Sequence, residues 1–179
     1  MKLSEMIQFV LDKAQLPSGD RRIENIVKTA LNTAYINFAR VDCDLTEYEI
    51  DAPIQMITPL PFDHLTPLQV FHGFLGSLND YQYRVSNTNL VVAKHVANYD
   101  TTSKMTLLYG RRPDLLVLED DEPVIKEEYH MGLCYYALTE ITEDAQYRYK
   151  YETLITSVPP FEPLLNDNLI EEYVRDSYI

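Results

Sequence analysis

The sequence has little glycine, no tryptophan and only two cysteines among its 179 residues. The five glycines form no phosphate-binding loop, and the sequence lacks the GxSxG, SxxK and HExxH motifs of hydrolytic sites. Cys43 and Cys134 are far apart and belong to no CxxC pair, which excludes a disulfide framework. We therefore predict two buried thiols in a reducing compartment and no nucleophilic site.

Long apolar runs and positive charge are also scarce. No run approaches the ~20 apolar residues of a membrane-spanning helix. The first residues, MKLSEMIQFVLDKA, carry acids among apolar residues and so do not resemble a signal peptide. Lys and Arg number 15 against 28 Asp and Glu, a net charge of −13. This balance argues against a nucleic-acid-binding surface, but it suits a protein that lets DNA pass without holding it.

Apolar residues recur at helical spacing in three parts of the chain. We predict helices over residues 3–14, 21–40 and 125–157. The polar stretch TEITED leaves open whether the last of these is one helix or two, with Thr142 or Asp144 capping the second.

Residues 46–112 have a different character. Their crowded prolines exclude a long helix, and short stretches rich in β-branched and aromatic residues follow. Tyr81, Tyr83 and Val85 alternate with polar residues, and the stretch LVVAKHV also has the composition of a strand. We predict an antiparallel β insertion of about four to six short strands. The predicted fold class is α+β, mainly an α-helical bundle with this insertion and an extended C-terminal tail.

One domain is predicted over residues 1–157, followed by a proline linker and tail over residues 158–179. The sequence VPPFEP ends the helix, because three prolines so close together cannot continue it. The tail that follows is too apolar for a solvated segment, so we predict that it docks either on its own domain or on a neighbouring subunit. The predicted docking residues are Leu164, Leu165, Leu169, Ile170, Tyr173 and Val174.

Four consecutive acids, Glu119 to Glu122, are the first candidates for a metal or catalytic site. Consecutive carboxylates point in different directions, and these lack the glycine and alternating ligands of an EF-hand loop. We predict a solvated loop before a helix. His130 and Cys134 offer only two of the three or four ligands that zinc requires, so we predict core residues there. No catalytic residue, metal or cofactor is predicted; a divalent-metal enzyme using the acidic run is kept as the alternative of a different class.

Charge and aromatic patterns suggest contacts between subunits. Arg111 and Arg112 follow a predicted strand and can pair with local acids, such as Asp114, or with acids of a neighbouring subunit. The chain has 14 tyrosines, and several lie in the predicted helix 125–157. One core cannot cover tyrosines on that many helix faces, so we predict that this helix contacts more than one surface.

Three stretches together resemble the adaptor, or head–tail connector, proteins of tailed bacteriophages. Residues 26–40, IVKTALNTAYINFAR, are similar to a helix motif of the type INxAYxxFAR. Residues 109–115, YGRRPDL, are similar to a strand ending in YYRRPPDL. Residues 119–138, EDDEPVIKEEYHMGLCYYAL, are similar to an acidic stretch followed by a helix that begins PEEYHxxLxYYAL. The resemblance extends over most of residues 21–157.

The chain departs from this pattern in three places. Gly110 stands where a second tyrosine is common, and Lys126 stands where a proline often opens the helix. The segment after Leu138 lacks the loop that many relatives have between their last two helices. The matching motifs are structural, so they imply no active site.

The resemblance implies a subunit that assembles into a ring, usually a dodecamer, beneath the portal in the virion neck after synthesis in the host cytoplasm. It implies the portal and a downstream stopper or tail protein as partners, with DNA passing through the ring unbound. It favours docking of the tail on the portal and makes Arg111, Arg112, Asp120 and Asp121 the predicted inter-subunit residues. A second neck component, such as a stopper or tail-completion protein, is the alternative, although those proteins are smaller and richer in β structure. No membrane partner is expected.

Overall fold

The structure, a computed structural model, describes residues 1–42 and 45–158 of the chain. Its contacts form two compact units: unit 1 contains residues 1–42 and 112–158, and unit 2 contains residues 45–111. Unit 2 corresponds closely to the predicted β insertion. The combination of helices with antiparallel sheets confirms the predicted α+β class. The predicted docking tail lies outside the described residues.

Helices and strands follow one another along the chain. In order they are α1 (Leu3–Ala14), α2 (Arg21–Ala39), β1 (Leu45–Ile50), β2 (Ile57–Pro59), β3 (His64–His72), β4 (Gly76–Ser77), β5 (Tyr83–Ser86), β6 (Asn89–Val92), α3 (Lys94–Ala97), β7 (Met105–Arg111), a 3-10 turn (Glu127–Tyr129), α4 (His130–Thr142) and α5 (Ala145–Ser157). None of the described helices is long and apolar enough to cross a membrane.

Unit 1 is built around α2 and α4. Helix α2 begins where the side chain of Asp20 accepts a hydrogen bond from the backbone N–H of Arg22, as expected of an N-cap. Its apolar stripe is buried, and α4 contacts α1, α2 and α5. The core of unit 1 therefore collects the apolar faces of these helices, including Leu3, Met6, Val10, Leu11, Val27, Leu31, Ala34, Tyr35, Phe38, Leu133 and Leu138.

The predicted helix 125–157 is two helices, and it starts later than expected. Glu143 adopts a left-handed conformation with φ of 56°, which ends α4 because a right-handed helix cannot continue through it. The side chain of Asp144 then accepts a hydrogen bond from the N–H of Gln146 at 2.8 Å and caps α5. Asp144, rather than Thr142, is thus the N-cap of the second helix.

Unit 2 contains two antiparallel sheets. The first has strand order β1-β7-β3-β4 and the second has order β2-β6-β5. The described residues thus hold seven strands, more than the predicted four to six, because the short β2 and β4 each add an edge strand. Residues from both sheets share one core, which includes Ile50, Val70, Leu90, Val92, Met105 and Leu107.

Two details of the predicted β insertion are wrong. The stretch LVVAKHV ends its strand at Val92 and continues as the short helix α3, whose Val96 is buried. Short apolar runs fit a strand and a helical turn equally well, so the composition did not separate the two. Tyr81 precedes β5 and its side chain is 94% exposed. It lies in a turn, where its N–H donates to Asn79 Oδ1. Tyr83 and Val85 do alternate with exposed Arg84, as predicted.

Candidate functional site

The acidic run lies in a connecting segment whose backbone is held against α2. We call residues 112–126 the linker segment. The side chains of Asn32 and Lys28 reach it from one face of α2, because residues four apart lie above one another on a helix. Asn32 Nδ2 donates to the carbonyl of Leu116 at 3.0 Å, and the N–H of Leu116 donates to Asn32 Oδ1 at 2.8 Å. Lys28 Nζ donates to the carbonyl of Val117 at 2.6 Å.

A second pair of hydrogen bonds holds the far end of the linker segment. The hydroxyl of Tyr35, which is buried, accepts from the N–H of Val124 at 2.8 Å. The N–H of Lys126 donates to Asp42 Oδ2 at 3.1 Å. The acidic run therefore lies between two points where side chains of α2, together with Asp42 at the second point, fix the backbone.

Helix α1 holds the acidic run from the other side. The N–H groups of Leu3 and Ser4, at the start of α1, donate to the carbonyls of Asp121 and Glu119 at 2.8 and 3.1 Å. The first N–H groups of a helix lack partners within the helix, and its N-terminus is partially positive. Negative charge is favoured there, which explains why an acidic run suits this position.

Two of the four acids have defined local partners. Asp121 Oδ2 accepts the N–H groups of Val117 and Leu118 at 2.6 and 2.7 Å, and these bonds hold the pKa of Asp121 below its usual range. Asp120 forms an exposed ion pair with Lys2 at 2.8 Å. Asp121 thus shapes the turn, whereas Asp120 contributes at most a weak surface pair. Among the described residues, no three His, Cys, Asp or Glu side chains are grouped in a way that could hold a metal ion.

Two of the three resembling stretches, residues 26–40 and 119–138, also meet in the core of unit 1. The rings of Phe38 and Tyr129 stack with centroids 5.7 Å apart. A Cβ atom added at Gly132 would lie 2.4 Å from Cζ of Phe38, too close for any side chain. Gly132 is therefore needed so that α4 can approach the Phe38 ring on α2.

His130 and Cys134 are buried, as predicted for core residues. His130 Nε2 lies 3.1 Å from the carbonyl of Ile125 and donates to it, while Nδ1 is 2.8 Å from the amino group of Met1. Burial raises the pKa of the Cys134 thiol to about 12, which makes it unreactive. Cys43 lies outside the described residues.

Arg111 has a partner within unit 2. Its Nε is 3.1 Å from Asp63 Oδ2, and the hydroxyl of Tyr109 donates to Asp63 Oδ1 at 2.9 Å. Burial, with the nearby Asp63 carboxylate, raises the pKa of Tyr109 to about 12. Arg112 is exposed. The inter-subunit roles of Arg111, Arg112, Asp120 and Asp121 remain predictions, and three of these four side chains already bind groups of their own chain. The sequence did not predict Asp63 as the partner of Arg111, because nothing in the residues around Asp63 links it to Arg111.

The linker segment exposes apolar side chains even though its backbone is fixed. Leu115, Val117, Leu118 and Val124 are 47%, 61%, 67% and 67% exposed, whereas Leu116 between them is buried. Large apolar side chains grouped on a rigid surface usually mark a site of protein interaction.

Helix α5 is the second unusual surface. None of its residues is fully buried, and Tyr149 on its outer side is 72% exposed. The rings of Tyr135 and Tyr147 stack at 6.3 Å, and Lys150 Nζ lies 5.2 and 5.6 Å from their centroids. Tyrosine is enriched at protein interfaces, so the exposed Tyr149 makes this helix a candidate contact surface.

Comparison of the sequence with models of known protein families gives no match. Comparison with curated proteins gives no match either.

Proposed function

We propose that this chain is a structural virion protein, an adaptor that forms a ring between the portal and the tail or stopper of a tailed bacteriophage. The observation that carries the proposal is that two of the adaptor-like stretches, residues 26–40 and 119–138, contact one another. Tyr35 binds Val124, and Phe38 packs over Gly132. Two motifs that pack together act as one structural unit, so their joint presence is harder to attribute to chance than two separate matches.

In this proposal, unit 1 provides the rigid part of each subunit. Its linker segment and α5 present apolar, aromatic and charged side chains on fixed backbones, as a subunit in a ring requires. Of the predicted inter-subunit residues, Arg111 ends β7 and Arg112 begins the linker segment. A net charge of −13 suits a conduit for DNA, because like charges prevent the DNA from binding to it.

The apolar tail with Leu164, Leu165, Leu169, Ile170, Tyr173 and Val174 would dock on the portal. The test compares the full chain with a chain that lacks residues 163–179 for co-sedimentation with the portal encoded by the same phage. The full chain is expected to bind and the truncated chain to lose binding. Normal assembly of the truncated chain on portals would show that the tail does not dock there.

The observations support two other functions less well. A stopper or tail-completion protein would be expected to contain more β structure, whereas helices form most of unit 1. A divalent-metal enzyme would need converging carboxylates, but Asp121 turns inward to its own backbone and Asp120 pairs with Lys2. The structural role is therefore the function that these side chains support best.

A further inference from the structure

The turn between β3 and β4 in unit 2 is held by a buried histidine. His72, the last residue of β3, is only 1% exposed. Its Nδ1 accepts the N–H groups of Phe74 and Leu75 at 3.1 and 3.3 Å. The N–H of Gly73 donates to the carbonyl of Lys104 at 2.9 Å. Two of the three N–H groups that fix this turn therefore depend on one imidazole nitrogen.

These two hydrogen bonds define the protonation state of the His72 ring. Nδ1 can accept an N–H only through its lone pair, so the single proton of the neutral ring is on Nε2. Nε2 is buried and has no hydrogen-bond partner among the residues that the structure describes. A second proton would bind at Nδ1 and turn this acceptor into a donor that faces two N–H groups. The ring can therefore become charged only if it gives up both bonds to the turn.

An acid acts on the ring from the segment between α3 and β7. Burial lowers the pKa of His72 below 6.5, and the carboxylate of Asp100 only partly opposes this shift. Hydrogen bonds from Ser103 and Thr102 lower the pKa of Asp100 itself to about 2. The carboxylate of Asp100 therefore remains charged over the whole pH range in which His72 takes up a proton.

The other elements around His72 bring little charge to it. Tyr99, from the same segment, presents its ring edge-on to the imidazole with centroids 6.5 Å apart. Strand β4 has no titratable residue, and Lys104, just before β7, directs its ammonium group to Glu49 and Asp51 at 3.0 and 3.3 Å. Of the charged groups in the described part of the chain, the carboxylate in the preceding paragraph is the one that acts on the ring.

We propose that His72 is a proton-sensitive latch on the turn between β3 and β4. The neutral ring holds the turn closed through Nδ1; a proton taken from solvent at Nδ1 breaks both bonds, and the turn opens. The turn carries Phe74, whose side chain is 67% exposed and whose ring packs on the exposed ring of Tyr99 at 5.4 Å. The latch therefore keeps this exposed aromatic pair together near neutral pH and separates it in acid. It acts within unit 2 and does not depend on the proposed ring.

The latch predicts how opening of the turn depends on pH. The closed turn binds the proton more weakly than the open turn, in which the ring regains the ordinary histidine pKa. Lowering the pH from about 6.5 towards the pKa of the closed state should therefore raise the open population about tenfold per pH unit. Above about pH 6.5 the ring is neutral in both states, so opening should not change with pH.

Native-state hydrogen exchange of the full chain, followed by NMR from about pH 8 to about pH 5, measures this opening. After correction for intrinsic exchange, the protection of the Phe74 and Leu75 N–H groups should be constant above about pH 6.5 and fall about tenfold per pH unit below it. The reference is the N–H of Val92, which donates to the carbonyl of Met56 in unit 2 at 2.8 Å. Low concentrations of urea should leave the exchange of Phe74 and Leu75 unchanged if the turn opens alone, whereas unfolding of the whole unit would speed up all three groups.

Two substitutions separate the latch from other effects of acid. His72→Asn keeps a side-chain oxygen that can accept both N–H groups but does not titrate, so the protection should no longer change with pH. His95→Asn removes an exposed histidine of α3 and should keep the pH dependence of the natural chain. The proposal is overturned if the protection of Phe74 and Leu75 in the natural chain is independent of pH or equals that of Val92 at every pH, results that need no substitution. Retention of the pH dependence in the His72→Asn variant would overturn it as well.

Discussion

The side-chain amide of Asn32 makes two hydrogen bonds with the backbone of a single distant residue, Leu116. The Leu116 N–H donates to Asn32 Oδ1 at 2.8 Å, and Asn32 Nδ2 donates to the Leu116 carbonyl at 3.0 Å. An amide can satisfy both groups at once because it carries a donor and an acceptor side by side. This pair ties α2 to the linker segment, so the conformation of the linker segment depends on it.

Replacing Asn32 should destabilise the protein. Asn32→Ala leaves both backbone groups of Leu116 without this partner in a partly buried position, and we expect a loss of about 1–3 kcal/mol in the free energy of unfolding. Asn32→Asp should also be destabilising, because it keeps the acceptor for the N–H but sets a second acceptor oxygen against the carbonyl of Leu116. Chemical denaturation measures both. Asn25→Ala, on an exposed face of the same helix, is the matched control and should stay within about 0.5 kcal/mol of the natural chain. Equal stability of the Asn32→Ala and Asn25→Ala variants would contradict this role.

Gly132→Ala should destabilise unit 1 even though alanine is the better helix former. The new methyl group would lie 2.4 Å from Cζ of Phe38, so the helices must separate at a cost of about 1–3 kcal/mol. Phe38→Leu shortens the facing side chain and should relieve the clash. In a double-mutant cycle, the Gly132→Ala substitution should therefore cost about 1 kcal/mol less in the Phe38→Leu background. Additive effects of the two substitutions would show that the ring contact does not limit residue 132.

Stability should fall as the pH drops below the ordinary histidine pKa. Burial lowers the pKa of His64 and of His72 below 6.5, and nearby acids only partly oppose this shift. Their neutral forms are thus favoured in the folded state, whereas the unfolded chain takes up protons below about pH 6.5. The free energy of unfolding is therefore constant above that pH, as far as these two groups contribute, and decreases below it. Thermal unfolding between pH 8 and pH 5 measures this change.

His72→Asn provides the control for this pH effect. His72 Nδ1 accepts the N–H groups of Phe74 and Leu75 at 3.1 and 3.3 Å, and an asparagine oxygen can accept them without titrating. The variant should fold at neutral pH and should lose less stability on acidification than the natural chain. An unchanged pH dependence would mean that His72 does not contribute to it.

The acidic run should not bind a divalent metal specifically. Calcium or magnesium titration by calorimetry is expected to give no saturable heat, because Asp121 is occupied by the backbone of Val117 and Leu118 and Asp120 by Lys2. Specific binding that is lost in both Asp120→Asn and Asp121→Asn would instead support the metal-enzyme alternative.

Local patterns in the sequence predicted the features that depend on neighbouring residues. The stripe of α2 and the possible cap at Asp144 could both be predicted from residues within a turn or two. The contacts of Asn32 with Leu116 and of Phe38 with Gly132 could not, because the partners come together only after the chain has folded.

The candidate site was predicted only in part for the same reason. The acidic run was recognised as a loop before a helix, but its attachment to the start of α1 has no local signal. The apolar stretch LLVL gave no indication that Leu116 is buried while Leu115, Val117 and Leu118 are exposed. Which of these side chains is buried depends on tertiary contacts, because Asn32 binds the backbone of Leu116 and Lys28 binds the carbonyl of Val117.

The most direct test of the proposed function is electron microscopy of the purified chain, alone and mixed with the portal of the same phage. The account predicts closed rings with a central channel, seated on the portal and uniform in subunit number. A chain that stays monomeric under both conditions, with portals that remain bare, would contradict it.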